Sequence, residues 1–478
     1  MTARVYVSAT HKSSGKTTVS IGLCAALSAR GMVVQPYKKG PDYIDPLWLT
    51  AACQRPCYNL DYHTMTRSEV ADCYARASVG ADILLTEGNK GLFDGVALDG
   101  SDSNATLARE LQSPVVLVID AKGITRGIAP LVMGYRHFDP DLVIGGIILN
   151  RVGGARHESK LRAVLANYTD VPVVGALWES SEIAITERHL GLVPRGEWEG
   201  GESLIAHLGK VVGDHVDVAA IASWGERGQV LAPRPAKRSR SPSVRIGVAL
   251  DRAFSFYYPG DLLALEAGGA ELVFFDTLHD AQLPPVDALF IGGGFPETQG
   301  EALARNVEMR HALRAAIDAG MPAYAECGGL MYLTRSLHWQ GQNFPMVGAI
   351  AADTVMDARP AGHGYVRIQP TIAHPWAWSG RGSEAALPAH EFHYSRLVNV
   401  ARDTVYAYDV TRGTGINGHH DGIVYKNLLA GYAHLREVEG CDWTGRFLDF
   451  VRACRERGHA TRRVAPVVGA ESRLAGSL

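Results

Sequence analysis

Residues 4–30 read RVYVSATHKSSGKTTVSIGLCAALSAR. An apolar β-branched run meets a loop of serine, glycine and lysine, and then, without a break, a helix-forming stretch. A chain that turns this sharply from strand to helix commits itself to a βα unit, which needs further parallel strands beside it. In such a turn backbone N–H groups and the positive helix end converge where they suit a phosphate. Lysine adds a point charge and threonine a magnesium ligand. Thr10, Ser13, Ser14, Gly15, Lys16, Thr17 and Thr18 are therefore the candidate nucleotide-phosphate residues, with Lys16 and Thr17 in the charge and metal roles. The motif departs from GxxxxGK[ST] at its first glycine, where Thr10 stands.

The alternation continues through VVQPYK, ADILLTEG, PVVLVIDA and VIGGIILN, separated by helix-length amphipathic stretches. Continuous β-branched runs predict strands buried on both faces, hence a doubly wound parallel α/β domain over residues 1–224. Residues 225–243 (GERGQVLAPRPAKRSRSPS) lose the periodicity and read as a linker, whose Arg234, Lys237, Arg238 and Arg240 are ordinary solvated charges. A second α/β domain, 244–457, begins with VRIGVAL, AELVFFD, VDALFIGGG and MPAYAEC. Shorter strands and many turns over 345–434 predict a mixed or partly antiparallel extension. The Arg- and Ala-rich residues 458–478 are expected to form a disordered tail.

Lys+Arg 47 against Asp+Glu 50, with no long run of one sign, leaves a net charge of −3. That balance argues against nucleic acid and membrane partners and for small molecules. No apolar stretch is long enough to span a bilayer, and Gly-Lys-Thr follows the first residues too soon for a signal peptide, so a cytoplasmic protein is expected. Seven cysteines without a CxxC pair predict neither a disulfide framework nor a zinc ribbon.

A magnesium–ATP site also needs carboxylates. KKGPDYIDP (38–46) and LLTEGNKGLFDG (84–95) follow strands and supply them: Asp45 and Glu87 are the metal candidates, with Asp42 and Asp94 beside them. Such carboxylates converging on one cleft repel unless Mg²⁺, Lys16, Lys38 and Lys39 offset them. Asn150, at the end of another strand, is a candidate for hydrogen bonding to a nucleobase.

The second domain carries a different chemistry. MPAYAECGGLMYL (321–333) reads as strand, sharp turn at Cys327, and helix. The flanking Ala325, Gly328 and Gly329 suit a nucleophile elbow, where the helix N–H groups lower a thiol pKa. FIGGGFPE (290–297) ends another strand and offers an N–H that, with that of Gly328, can serve a developing oxyanion. His434 in GYAHL is the candidate base, with His390 and His393 of HEFHYS as rivals.

In order and spacing, SATHKSSGKTT, KKGPDYIDP, EGNKGLFDG, GGGFPE, ECGGLMYL, HEFHYS and GYAHL resemble the cobyrinic acid a,c-diamide synthases, glutamine-dependent amidotransferases of tetrapyrrole biosynthesis. The resemblance implies an N-terminal synthetase domain similar to dethiobiotin synthetase and a C-terminal class I glutaminase domain. It makes Cys327 the nucleophile and His434 its base, with Gly294, Phe295 and Gly328 near the oxyanion. It places ATP on residues 10–18, magnesium near Thr17, Asp45 and Glu87, and carboxylate activation around Asp42, Asp45, Glu87 and Asp94. Glutamine and a tetrapyrrole acid are the implied substrates, and a homodimer is entertained as the assembly.

The chain departs from that pattern in places. Class I glutaminases carry glutamate two positions after the histidine, where this chain has Arg436. Glu437 or Glu391 could take its place, or a dyad could suffice. Leu49 stands where the cobyrinate enzymes usually have histidine, EGNKGL (87–92) where they read EGVMGL, and GSDSNA (100–105) where a threonine-containing segment is usual. These changes resemble the sirohaem-amidating relatives associated with dissimilatory sulfite reductase, making sirohaem the favoured substrate and cobyrinic or hydrogenobyrinic acid the alternative. A ParA-like switch ATPase with a degenerate glutaminase module is the rival class. It accounts poorly for Cys327, and it expects a lysine where His11 stands. Amidation of a nucleotide, as in CTP synthase, shares the chemistry without the segment resemblance.

Overall fold

The structure, a computed structural model, describes residues 2–180, 187–188, 191–192, 200–224, 240–376, 378 and 386–464. Most of the linker, with Arg234, Lys237 and Arg238, lies outside the described residues, as does the tail beyond Val464. Contacts divide the chain into two compact units, Met1–Lys237 with Phe256–Leu262, and Arg238–Ser255 with Leu263–Leu478.

The first unit is built on a seven-stranded sheet. Across it run Tyr58–Leu60, Val34–Lys39, Ile83–Glu87, Ala3–Ala9, Val115–Asp120, Ile144–Val152 and Val173–Trp178. Every pairing is parallel. Val5, Val7, Leu84, Leu85, Val116, Leu117, Ile147 and Ile148 are fully buried, as continuous β-branched runs covered on both faces require. The helix Lys16–Ala29 follows the first strand and is gripped by the helix Gly201–His215. Glycines make that approach possible: a Cβ on Gly22 would lie 2.4 Å from Val212, and one on Gly209 2.8 Å from Ala25. Parallel pairing gathers the strand C-termini on one edge, bringing the loop after Ala9 together with Lys38, Glu87 and Asn150.

The second unit has a nine-stranded sheet in the order Ala270–Phe275, Val244–Ala249, Ala288–Ile291, Ala323–Glu326, Leu428–Gly431, His420–Tyr425, Val405–Arg412, Gly362–Pro370 and Leu387–His393. The first five strands are parallel and the rest antiparallel, which is the mixed extension expected from the turn-rich later half. A four-stranded sheet of Gln342–Pro345, Ser336–Trp339, Asp353–Met356 and Ser395–Val398 accompanies it. The helix Trp443–Val464 continues past Gly458, where the sequence reading ends the domain. Among the described residues no helix is long and apolar enough to cross a membrane.

Candidate active sites

In the first unit the phosphate loop is held from several sides. Gly15 adopts a left-handed conformation at φ 89° and starts the helix at Lys16. A Cβ there would lie 2.1 Å from the Asn150 amide nitrogen, so this position has both a conformational and a spatial need for glycine. The Ser14 hydroxyl donates to His11 O (2.8 Å), Asn150 Nδ2 donates to Ser14 O (2.9 Å), and the Tyr135 hydroxyl donates to Thr10 O (2.6 Å). Arg151 donates to Ser13 O and pairs with Asp120. Asn150, the candidate nucleobase contact, thus braces the loop through its amide nitrogen.

Four residues chosen from sequence meet beside this loop. Thr17 Oγ1 donates to Glu87 Oε1 at 2.7 Å and lies 3.3 Å from Asp45 Oδ2. The amine at their centre is Lys38, the register partner of Glu87: its Nζ is 2.5 Å from Asp45 Oδ2, 3.0 Å from Glu87 Oε1 and 3.9 Å from Asp42 Oδ2. Burial would lower the Lys38 ammonium, but Asp45, Glu87 and Asp42 raise it well above its ordinary value. Burial and the Asp45 charge push the Asp42 carboxyl up to about 7, and burial likewise raises Glu87. Lys16 is lowered to about 8 by burial and by the charge of Lys38. Asp42 also accepts from the N–H groups of Ile44 (2.8 Å) and Asp45 (3.1 Å), so it opens the helix Ile44–Cys53 that carries Asp45. Asp94 lies farther out, where it accepts from Gly91 N (2.8 Å) and remains close enough to favour the charged form of Lys16.

Glu87 Oε2 is buried without a hydrogen-bond partner. An unpaired carboxylate oxygen beside a threonine hydroxyl and a second carboxylate fits a divalent cation. Among the described residues no three His, Cys, Asp or Glu side chains alone form a metal cage. Mg²⁺ takes few protein ligands and completes its shell with phosphate and water.

Two departures from the cobyrinate pattern prove to be one structural unit. Asn104 is fully buried; its Oδ1 accepts from Tyr6 Oη (2.9 Å) and Asn89 N (3.0 Å), and its Nδ2 donates to Asn89 O (2.5 Å) and Gly91 O (2.7 Å). The GSDSNA segment therefore sets the shape of the EGNKGL loop. Lys90 is exposed there at φ 44°. Burial lowers the Lys39 ammonium; Asp61 and Asp102 oppose this, and Lys90 adds to it. Leu49, the third departure, is fully buried and packs in the core instead of lining an opening.

In the second unit Cys327 stands between the strand Ala323–Glu326 and the helix Gly328–Leu333 with φ 47° and ψ −100°, a conformation costly for a non-glycine residue. Its N–H is anchored on Gly431 O at 2.8 Å. Added Cβ atoms would lie 2.9 Å from Gly294 N on Gly328, 2.2 Å from Ile291 O on Gly329, and 1.9 Å from Ala253 O on Gly294. The elbow and the turn after Ile291 therefore approach backbone to backbone, with Gly294 and Phe295 beside the start of the short helix.

His434 is brought to Cys327 by the parallel pairing of Ala323–Glu326 with Leu428–Gly431. Burial would lower the imidazole, but hydrogen bonds with Cys327 and Glu326 raise it to about 10. Its Nδ1 lies 3.1 Å from Glu326 Oε2. The rival His390 stacks on the His434 ring at 4.8 Å and pairs with its backbone. The second rival, His393, stacks on Tyr432 at 3.7 Å and bonds Ser395 O through Nδ1. Of the two glutamates considered from sequence, Glu437 accepts from the N–H and hydroxyl of Thr444 (3.1 and 2.9 Å). Glu391 accepts from the N–H groups of Thr414 (2.7 Å) and Gly415 (2.8 Å). Sequence reasoning missed Glu326, although a carboxylate ending an otherwise apolar central strand signals a buried partner.

Residues 5–193 match the family described as the CobQ/CobB/MinD/ParA nucleotide binding domain, and residues 245–438 match the CobB/CobQ-like glutamine amidotransferase domain. A cobyrinate a,c-diamide synthase of Magnetococcus marinus is 46% identical, covering 95% of this chain and 98% of that protein. The chain belongs to the cobyrinate a,c-diamide synthase family. Relatives of the same name from Methanosarcina acetivorans (39% identical, 93% of this chain and 95% of that one) and Archaeoglobus fulgidus (38%, 93% and 96%) agree along nearly their full length. As a member of this family it is an ATP-dependent glutamine amidotransferase, a carbon–nitrogen ligase with a phosphate-loop domain and a glutaminase domain.

Proposed function

We propose that the chain amidates acetate carboxylates of a tetrapyrrole, with sirohaem as substrate and sirohaem amide as product. In the second unit Cys327 attacks the side-chain carbonyl carbon of glutamine. The N–H groups of Gly328 and the Gly294–Phe295 turn stabilise the oxyanion, and His434 protonates the departing ammonia. Water hydrolyses the thioester, releasing glutamate and restoring the thiol. In the first unit a substrate carboxylate takes the γ-phosphoryl group of ATP, giving an acyl phosphate and ADP, and ammonia then displaces phosphate to leave the amide. The loop of residues 10–18 holds the phosphates, Lys16 and Lys38 stabilise their charge, and Asp42 and Asp94 order the loops around them. Asn150 lies beside this loop as the candidate nucleobase contact. Mg²⁺, held by Thr17, Asp45 and Glu87, would draw charge from the transferring group.

The observation that supports the assignment within the tetrapyrrole class is the EGNKGL loop: Asn104 fixes its shape, and the loop adds the exposed Lys90 near the buried Lys39, whose amine donates to Asn89 Oδ1 at 3.5 Å. A second reading, cobyrinate a,c-diamide synthesis, is favoured by the names of the relatives. Work in the cytoplasm as a homodimer, without nucleic acid or membrane partners, belongs to the same proposal. The test is to incubate the protein with ATP, glutamine and either sirohaem or cobyrinic acid and to detect by mass the replacement of carboxyl OH by NH₂. Preferential turnover of sirohaem supports the reading; preferential turnover of cobyrinic acid overturns it in favour of the second.

A further inference from the structure

The position that normally supplies the acid of a class I glutaminase triad is Arg436 here, and it is buried. The carboxylate found on the imidazole comes instead from the end of the strand Ala323–Glu326. We propose that Glu326, the residue immediately before the nucleophile, is the positioning acid of this glutaminase and holds His434 for proton transfer at Cys327. This rests on the assignment of Cys327 and His434 made above.

Both oxygens of Glu326 are committed. Oε2 lies 3.1 Å from His434 Nδ1, while Oε1 accepts from the Leu435 N–H at 3.0 Å and from the Tyr324 hydroxyl at 2.5 Å. The carboxylate thus grips the histidine by its ring and by the following peptide. Tyr324 is itself immobilised, buried between Phe290, Trp376 and Trp443 with ring separations of 5.5, 5.1 and 4.9 Å. With Nδ1 on Glu326 and one ring face against His390, the imidazole turns Nε2 to the sulfur. An acid bonded to Nδ1 selects that tautomer and stabilises the imidazolium that forms when the thiol gives up its proton.

Neighbouring in sequence, Glu326 and Cys327 have separate tasks because the elbow turns the chain sharply between them. Glu326 remains in the strand, opposite Gly431, and faces the His434 segment, whereas Cys327 leaves the strand to open the helix. Among the described residues, the titratable groups Cys327, Glu326 and His390 act directly on the imidazole, and Tyr324 reaches it through Glu326.

The experiment compares Glu326→Gln, Glu326→Asp and Cys327→Ala with the wild-type chain. It reads glutamine hydrolysis, ammonia-dependent amidation, thermal unfolding, and the pH dependence of thiolate absorbance at position 327. Glu326→Gln is expected to lower kcat for glutamine roughly 10²–10⁴-fold with little change in KM. It should also move the alkaline limb of kcat/KM to lower pH, because the imidazolium loses its counter-charge. Glu326→Asp should recover part of both effects, and ammonia-dependent amidation should persist in all three variants. Should Glu326→Gln unfold, a kcat loss with the same pH displacement in folded Glu326→Asp carries the same support. A Glu326→Gln enzyme with wild-type kcat and pH profile overturns the proposal while leaving Cys327 in place. So does an equal loss of glutamine- and ammonia-dependent rates that tracks unfolding. Glutamine hydrolysis that survives Cys327→Ala removes the underlying assignment and the proposal with it.

Discussion

Gly294→Ala tests the geometry of the glutaminase site most sharply, because the atoms that the new methyl meets cannot rotate away. The added Cβ would lie 1.9 Å from Ala253 O, 2.8 Å from Ala253 C and 3.0 Å from Phe254 Cα. Asp251 pins this stretch: Oδ1 accepts from the N–H groups of Ala253 (2.7 Å) and Phe254 (3.1 Å), and Oδ2 accepts from the N–H and hydroxyl of Thr277 (2.7 and 2.6 Å). A carbon–oxygen contact needs well over 3 Å, so the two segments must part by about 1.3 Å or more. Gly294 N is also in close approach to Gly328, so the movement falls on the pair of turns proposed to supply the oxyanion donors. A donor displaced that far leaves hydrogen-bond range, which costs about 3 kcal/mol in the transition state, or roughly 10²-fold in kcat. The assay measures ammonia release from glutamine alongside ATP-dependent amidation driven by ammonium chloride. The first rate should fall by that factor and the second hold, with Tm lowered by a few degrees at most. Glutamine hydrolysis within threefold of wild type would show that this turn does not serve the oxyanion.

Three further outcomes are expected. Thr17→Ala removes the hydroxyl shared by Glu87 and Asp45, and should cut ATP-dependent amidation at least tenfold while glutamine hydrolysis, assayed alone, is retained. Asn104→Ala deletes four hydrogen bonds that shape the Asn89–Gly91 turn; a stability loss of about 2–3 kcal/mol by urea unfolding and a raised KM for the tetrapyrrole are expected. The His434 pKa, raised to about 10 in the folded chain, exceeds its unfolded value. Its contribution to stability is therefore complete below about pH 6.5 and is lost as pH rises through about 10. His434→Gln should flatten that alkaline decline in unfolding free energy, and an unchanged slope would show the shift to be absent.

The phosphate loop and the cysteine elbow were legible in the sequence because each is a local backbone device: a strand, a few residues with demanding torsions, and a helix. Thr17, Asp45 and Glu87 were legible because they follow strands whose parallel order puts their C-termini on one edge. What escaped depends on pairings remote in sequence. Lys38 looked like one compensating charge among several, and only its register opposite Glu87 places it among three carboxylates. Glu326 meets His434 across 108 residues, through a strand pairing that no spacing reveals. Leu49 shows the converse: it shares the segment of Asp42 and Asp45, but on the helix Ile44–Cys53 its own side chain is fully buried.

The most direct test supplies glutamine labelled with 15N in its side-chain amide, together with ATP and the tetrapyrrole acid, and follows the label by mass. The wild-type chain should deliver 15N into the macrocycle amide only when ATP is present. The Cys327→Ala chain should deliver none from glutamine while still forming the amide from ammonium. Label arriving from glutamine at the wild-type rate without the Cys327 sulfur, or without ATP, would contradict the account.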